Sequence, residues 1–134
     1  MKPFLGRFSE AIYALMRLVV GFLFACHGAQ KLFGVLGGQR VHDPKMLLAG
    51  VVELGGGCLI AIGLVTTIAA FIACGEMAVA YFTVHAPHSF FPIINKGELA
   101  VVYCFVFLYM VARGGGRWSV DGMMGGGRGA GDRT

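Results

Sequence analysis

The sequence predicts an all-α integral membrane protein, a bundle of four transmembrane helices in up-down topology with both termini on the same side. Of its 134 residues, 57% are hydrophobic and 13% are charged, whereas a soluble domain averages about 25% charged residues. Mean hydropathy is +0.74, and the apolar residues fall into four segments separated by glycine, proline or polar stretches. This length allows one domain, which we place at residues 1–121.

Start and stop signals mark the ends of each predicted helix. Ser9 is a suitable N-cap for the first helix and Gly34 ends it, while Pro44 suits the first turn of the second helix. Pro87 and Pro92 end the third helix. The fourth helix is short, about 22 Å at 1.5 Å per residue. The predicted helices cover about residues 9–33, 46–65, 67–84 and 98–112.

The segments outside these helices have distinct compositions. Residues 85–97 are aromatic and short, so we expect them to lie at the membrane interface or to dip back into it. Residues 122–134 are mostly glycine and are predicted to be disordered. The first apolar segment is interpreted as a retained helix and not as a cleaved signal peptide, because Arg17 interrupts it. Two tail arginines, Arg128 and Arg133, favour cytoplasmic termini.

Ionisable residues inside the apolar segments are the clearest functional signal. Arg17, Glu53 and Glu76 each interrupt such a segment, at a cost of about 2.5–3.5 kcal/mol for a charge on membrane-insertion scales. Helix rise predicts that Arg17 pairs with Glu76 or Glu53 near mid-membrane. One carboxylate is then left over, and it must be protonated, bonded to His27 or in contact with a ligand. A purely structural buried pair is the alternative interpretation.

A polar pocket is predicted on the side opposite the termini. Arg17, His27, Glu53 and Glu76 are its candidate charge-handling and proton-handling residues, with Arg17 and the two glutamates at the floor. Lysines near helix ends, among them Lys31, are alternatively explained as snorkelling anchors. The candidates for cofactor binding are His27, Lys31, His85 and Glu98. Residues predicted at the mouth of the pocket are His27, Gln30, Lys31, His85, His88, Asn95, Lys96 and Glu98.

Composition also argues against several functions. The net charge of +4 comes from residues at segment ends and in the tail, so no nucleic-acid partner is expected. The four cysteines fall one in each apolar segment without a C-x-x-C, which favours packing over a metal site or a dithiol redox site. No flavin or iron–sulfur motif is present. Haem, with His27 and His85 as its ligands, is the less favoured cofactor.

Five short motifs lie along most of the chain. They are Arg17-x3-Gly21-x2-Phe24-x2-His27-Gly28-x2-Lys31, Glu53-Leu-Gly-Gly-Gly, Gly63-Leu64-x-Thr66, Lys96-Gly97-Glu98 and Gly116-Arg117-Trp118-Ser119-Val120-Asp121. Together they resemble the motifs of the DoxX family over about residues 10–121. The resemblance implies a small four-helix protein of the bacterial inner membrane, associated with redox systems. It further implies relatives that are quinone-facing subunits of a thiosulfate-oxidising enzyme or parts of thiol or superoxide defence complexes.

Three functions remain open at this point. In the first, the pocket binds a quinone headgroup, and His27 with Glu53 or Glu76 passes protons as a partner subunit supplies electrons. The chain alone is then not expected to be active. In the second, the protein is a non-catalytic membrane anchor or assembly subunit, held to other redox subunits or to itself. In the third, it is a small proton-coupled carrier, although no inverted repeat of broken helices is evident.

Overall fold

The computed structural model of this protein describes residues 1–125, and within that range the chain is helical without a β-strand. Four main helices are joined by short connections. One shorter helix lies in the last connection, and a second shorter helix follows the fourth main helix. A 3₁₀ turn, Gly6–Phe8, leads into the first helix, and a π-helical turn, Tyr81–His85, extends the third. The helices are α1 (Ser9–Phe33), α2 (Pro44–Ile62), α3 (Thr66–Ala80), α4 (Pro92–Asn95), α5 (Glu98–Arg113) and α6 (Val120–Met124).

Three helical stretches are long and apolar enough to cross a membrane. They are Gly6–Phe33 with 28 residues, Pro44–Ile62 with 19 and Thr66–His85 with 20. Helix α5 has 16 residues, fewer than the roughly 20 that a hydrocarbon core of about 30 Å requires. The protein is therefore a multi-pass membrane protein with three candidate spans, and a fourth span stays a prediction.

Several helix ends differ from their predicted positions. Helix α2 begins at Pro44 because the Asp43 carboxylate accepts a hydrogen bond from the Lys45 backbone N–H at 3.0 Å. It ends at Ile62 because Gly63 adopts a left-handed conformation with φ of +73°. The prediction of disorder is wrong for residues 122–124, which belong to α6, while residues 126–134 lie outside the described part of the chain.

Glycines bring α1 and α2 into backbone contact along an antiparallel pair. A Cβ atom added at Gly21 would lie 2.5 Å from the Ala61 nitrogen and 2.6 Å from the Gly57 oxygen. One added at Gly57 would lie 2.5 Å from the Ala25 nitrogen. The small residues Gly21, Ala25, Gly57 and Ala61 thus allow a close approach of the two helices. These contacts also set the register of α1 against α2, because they place Gly21 beside Ala61 and Ala25 beside Gly57.

Helices α3 and α5 form a second close pair, and aromatic rings connect α5 to α1. Ala70, Ala73, Phe107 and Met110 are buried at or near zero exposure. Phe24 of α1 packs edge-on against Phe107, with ring centroids 4.8 Å apart. Between α3 and α5 the sulfur atoms of Cys74 and Cys104 lie 3.7 Å apart.

The loop after α3 is held in one compact shape by its own polar side chains. The Tyr81 hydroxyl donates to the Phe90 carbonyl at 2.6 Å, and Asn95 Nδ2 donates to the Ser89 carbonyl at 2.7 Å. Asn95 Oδ1 accepts from the Gly97 N–H at 2.8 Å. Asn95 is therefore a buried structural residue of the loop, and its predicted place at the mouth of the pocket is wrong.

Candidate functional site

Lys31 and Glu53 form an ion pair between α1 and α2. The Lys31 Nζ donates to the two carboxylate oxygens of Glu53 at 2.6 Å and 2.5 Å. Helical side chains lean toward the N-terminus of their own helix. Because α1 and α2 are antiparallel, Lys31 and Glu53 lean toward each other. The interpretation of Lys31 as a surface anchor is therefore wrong, since its ammonium turns inward to a carboxylate that is 3% exposed.

Glu76 of α3 places a second carboxyl group against that of Glu53. Its Oε2 atom is buried and has no hydrogen-bond partner among the described residues. Lys31 is the cation that acts on Glu76, and it already binds Glu53. Two carboxyl groups thus share one ammonium group, and two adjacent carboxylates in a dry site cannot both remain charged without a large cost. We call these three residues the Lys31–Glu53–Glu76 cluster.

A cavity of about 340 Å³ opens beside the cluster and is called here the headgroup cavity. Its volume lies within the range of about 300–1,000 Å³ that is usual for small-molecule sites. The Tyr103 ring stands next to both Phe24 and His27, with centroids 5.4 Å and 6.0 Å away. The lining therefore combines a few polar groups with a mostly apolar wall. It comprises Phe24, His27, Lys31, Met46, Ala49, Glu53, Glu76, Met77, Ala80, Val84, His85, Lys96, Leu99, Ala100 and Tyr103.

Among the predicted site residues, His27, Lys31, Glu53, Glu76 and His85 line this cavity, and so does Lys96. Gln30, His88, Asn95 and Glu98 do not.

The positions of Gln30 and Glu98 explain why these two residues do not line the cavity. Gln30 Nε2 donates to the Leu36 carbonyl at 2.9 Å and thereby closes the end of α1. Glu98 is exposed in the first turn of α5, where a negative charge is favoured by the helix dipole. The predicted role of Glu98 in the pocket is therefore not supported by its position.

Arg17 lies away from the cluster, and its predicted pairing with Glu53 or Glu76 is wrong. Its guanidinium Nε donates to the Ile60 carbonyl at 2.9 Å. Its Nη1 and Nη2 donate to the Gly115 and Trp118 carbonyls at 2.7 Å and 2.9 Å. The register of α1 and α2 places Arg17 beside Ile60. Glu53 lies seven residues earlier on α2, about 10 Å along the axis.

The contacts of Arg17 belong to a larger arrangement that ties the C-terminal segment to the rest of the chain. The Asp121 carboxylate accepts from the Val65 and Thr66 backbone N–H groups, both at 2.8 Å. It thus caps the N-terminus of α3. The Tyr13 hydroxyl donates to the Gly114 carbonyl at 2.6 Å. We call Arg17, Asp121 and the backbone they bind the C-terminal clasp.

The clasp was not predicted from the sequence, although its residues stand in three of the quoted motifs. Arg17, Thr66 and Asp121 come from the first-helix, second-helix and closing motifs respectively. Backbone carbonyls are invisible as partners in a sequence, because every residue has one. The available signal was the combination of a buried arginine with a glycine-rich segment, since glycine lets the backbone approach a guanidinium closely.

We expect Asp121→Asn to lower the stability of the protein in a pH-dependent way. Burial opposes ionisation of the Asp121 carboxyl, but hydrogen bonds from Thr66 and Val65 hold its pKa below the ordinary value. The stabilisation is therefore full above the pKa of the unfolded chain and is lost as pH falls through the folded-state pKa.

Thermal unfolding in detergent measures this effect. The loss at neutral pH should be about 0.5–2 kcal/mol, as for other helix caps. The difference between the wild type and Asp121→Asn should shrink below about pH 4. A difference that is constant from neutral to acidic pH would contradict the capping role of the carboxylate.

Comparison with known proteins places the clustered residues within a matched region. Residues 12–86 match the family model described as DoxX, and this stretch contains Lys31, Glu53 and Glu76. An uncharacterised protein of Haemophilus influenzae is 42% identical over 125 residues, which cover 87% of this chain and 93% of that protein. No solved structure matches the chain.

Proposed function

We propose that this chain, which belongs to the DoxX family, is a bacterial inner-membrane subunit that binds a quinone headgroup in the headgroup cavity. A partner protein supplies the electrons, because no flavin or iron–sulfur motif is found in the sequence. Reduction of a quinone takes up two electrons and two protons, which is why ionisable groups beside the headgroup are useful. The protein is then one component of a membrane redox system.

The observation that carries this proposal is the buried Oε2 atom of Glu76, which has no hydrogen-bond partner among the described residues. With Lys31 bound to Glu53, a proton on Glu76 removes the surplus negative charge of the cluster. A protonated carboxyl group is a hydrogen-bond donor. The carbonyl oxygen of a quinone is an acceptor without a charge, so it satisfies Glu76 without adding a further anion. An anionic ligand at this position would restore the repulsion that protonation removes.

The rest of the cavity suits the same ligand. Phe24 and Tyr103 provide aromatic surfaces against which a flat ring packs. His27 lies on the wall beside Tyr103, and His85 lies on the wall near the loop side. These two imidazoles can pass protons between the loop side and Glu76, since an imidazole has one nitrogen that donates and one that accepts.

The proposal includes a fourth membrane crossing by α5 and cytoplasmic termini. Support comes from α5 packing along α3 and from Phe107, which is fully buried against α1. The hydrogen bond from the Tyr13 hydroxyl to the Gly114 carbonyl joins the start of α1 to the end of α5. An even number of crossings is the arrangement that brings these two ends together. The 16 residues of α5 span about 24 Å, which a modest thinning of the bilayer accommodates.

A membrane-anchor function is the second candidate, and the compact loop after α3 favours it. Phe90, Phe91, Ile93 and Ile94 are all at least 60% exposed on a loop that is internally hydrogen-bonded. Such a rigid apolar surface can hold a partner subunit or the membrane interface. This function does not require the Lys31–Glu53–Glu76 cluster, so variants of the cluster separate the two candidates.

We expect Glu76→Leu to weaken quinone binding about 5- to 12-fold, the equivalent of one net hydrogen bond of roughly 1–1.5 kcal/mol. Glu76→Gln keeps an N–H donor at the same place and should bind within a few-fold of wild type. Equilibrium binding to the purified protein in lipid nanodiscs measures both. Glu98→Leu, on the exposed first turn of α5, is the matched control and should bind as wild type does.

Removal of the Glu76 carboxyl group leaves the ion pair of Lys31 and Glu53 in place, so it should not unfold the protein. Equal affinity of Glu76→Leu and wild type would therefore place the quinone elsewhere, and the headgroup proposal would be wrong.

A further inference from the structure

A second cavity, of about 670 Å³, lies between α2 and α3. Glycines hold α1 against α2, and alanines hold α3 against α5, whereas α2 and α3 separate on the side away from their connecting turn. The walls of this cavity are mainly apolar, and several of the side chains on them face outward from the helix pair. Val79 is 63% exposed and Leu48 is 65% exposed. We call this space the lateral groove.

The lateral groove and the headgroup cavity lie on either side of a shared wall that includes Glu76. Both are lined by Glu76, and they also share Met46, Ala49, Ala80 and Val84. Ala49 and Ala80 are small, so little side-chain volume separates the two spaces. The groove follows α3 from Glu76 to Val84, eight residues or about 12 Å. Glu76 therefore stands between the headgroup cavity and a mainly apolar groove on the outer surface of the helix pair.

We propose that the lateral groove holds the isoprenoid tail of the quinone, so that the ligand class is a long-tailed quinone that enters from the bilayer. This inference rests on the proposed headgroup site. Its support is the wall that the two spaces share and the difference between their linings. His27, Lys31, Glu53 and His85 line only the headgroup cavity, whereas the groove is lined mainly by apolar residues, with Asp43, Lys45 and Thr83 as polar residues beside Glu76. This difference matches the division of such a molecule into head and tail. A water-soluble ligand would need only the opening at His85 and Lys96. The outward-facing valine and leucine side chains provide apolar contact for a chain that lies in the groove.

The test compares two valine-to-tryptophan variants with two ligands. Val79→Trp fills the groove, and Val102→Trp adds the same bulk to α5, at a valine that is 57% exposed and lines neither cavity. The ligands are a quinone with a long isoprenoid tail and the same headgroup without the tail. All measurements use the full chain in nanodiscs at one lipid content, because a long tail also partitions into lipid.

We expect Val79→Trp to weaken binding of the long-tailed quinone about tenfold, or 1.4 kcal/mol, and to leave binding of the tail-less quinone unchanged. Val102→Trp should change neither affinity. If Val79→Trp binds both ligands as wild type does, the tail lies elsewhere and the inference is overturned while the headgroup site stands. If wild-type protein binds neither ligand, the headgroup proposal fails and the inference fails with it.

Photo-crosslinking of wild-type protein keeps the inference testable if Val79→Trp does not fold. A quinone with a diazirine on the first or second isoprenoid unit of its tail should label residues 46–52 of α2, residues 75–80 of α3 or residues 81–84 of the π-helical turn. Labelling of the outer face of α5 would overturn the inference. Phospholipid that crosslinks to the groove and is not displaced by the long-tailed quinone would also overturn it.

Discussion

Replacing Arg17 with methionine should prevent most of the protein from folding in the membrane. The guanidinium donates to the carbonyls of Ile60, Gly115 and Trp118. The Ile60 carbonyl also accepts from the Gly63 N–H, but those of Gly115 and Trp118 would lose their partner, at about 1–3 kcal/mol for each buried polar group. A total loss of about 3 kcal/mol or more is a large part of the 5–15 kcal/mol by which a typical protein is stable. The amount of folded protein extracted from membranes, and its thermal unfolding, measure the effect.

Two further variants make the Arg17 result specific. Arg117→Met removes an exposed arginine of the same segment and should accumulate as wild type does. Within residues 1–125 the hydrogen bond of Arg117 to Glu10 comes from its backbone N–H and not from its side chain. Arg17→Lys should be intermediate, since one ammonium group cannot match the planar fork of donors. A stable Arg17→Met protein that has lost only quinone binding would contradict the clasp and would return Arg17 to the functional cluster.

Replacing Lys31 with methionine should destabilise the protein by about 3–5 kcal/mol, the cost of leaving one partner of a buried ion pair uncompensated. Glu53 is 3% exposed and depends on Lys31 for its counter-charge. In the double variant Lys31→Met/Glu53→Gln no buried charge is left unpaired, and most of the stability should return. Thermal unfolding of the single and double variants in one detergent measures this recovery.

Lys45→Met is the control for the loss of a lysine near a helix end. Lys45 is exposed at the start of α2, so its replacement should change stability by less than about 0.5 kcal/mol. If the double variant is as unstable as Lys31→Met alone, the unpaired charge of Glu53 is not the reason for the loss of stability. If Lys31→Met is as stable as Lys45→Met, then the ion pair makes no net contribution.

The main helices were largely predictable because apolar segments with glycine and proline at their ends are a local property of the sequence. The π-helical turn at Tyr81–His85 and the single turn of α4 were not, because they depend on side-chain hydrogen bonds across the loop that a local pattern does not show. Tyr81 bonds to the Phe90 carbonyl nine residues away, and Asn95 bonds back to Ser89. Helix α6 was missed because Ser119 and Asp121 lie in a glycine-rich stretch whose order depends on Val65 and Thr66.

The candidate site was partly predictable for a different reason. Burial of Glu53 and Glu76 could be inferred because charged residues are costly in an apolar helix. Their counter-charge, Lys31, could not be inferred. The pairing depends on the helix register that Gly21 and Gly57 impose and on the direction in which Lys31 leans. The predicted excess of one carboxylate remains, with Lys31 as the counter-charge in place of arginine. The lateral groove has no local signature at all, because it is the space left where two helices diverge.

The identity of the bound molecule tests the central claim most directly. Native mass spectrometry of the wild-type protein, extracted from its own membrane in mild detergent, reports any ligand retained in the headgroup cavity. We predict an adduct with the mass of a long-tailed quinone, depleted in Glu76→Leu and retained in Glu98→Leu. Adducts of phospholipid alone, equal in all three proteins and unchanged after quinone is added, would contradict quinone binding and leave the cluster with a purely structural role.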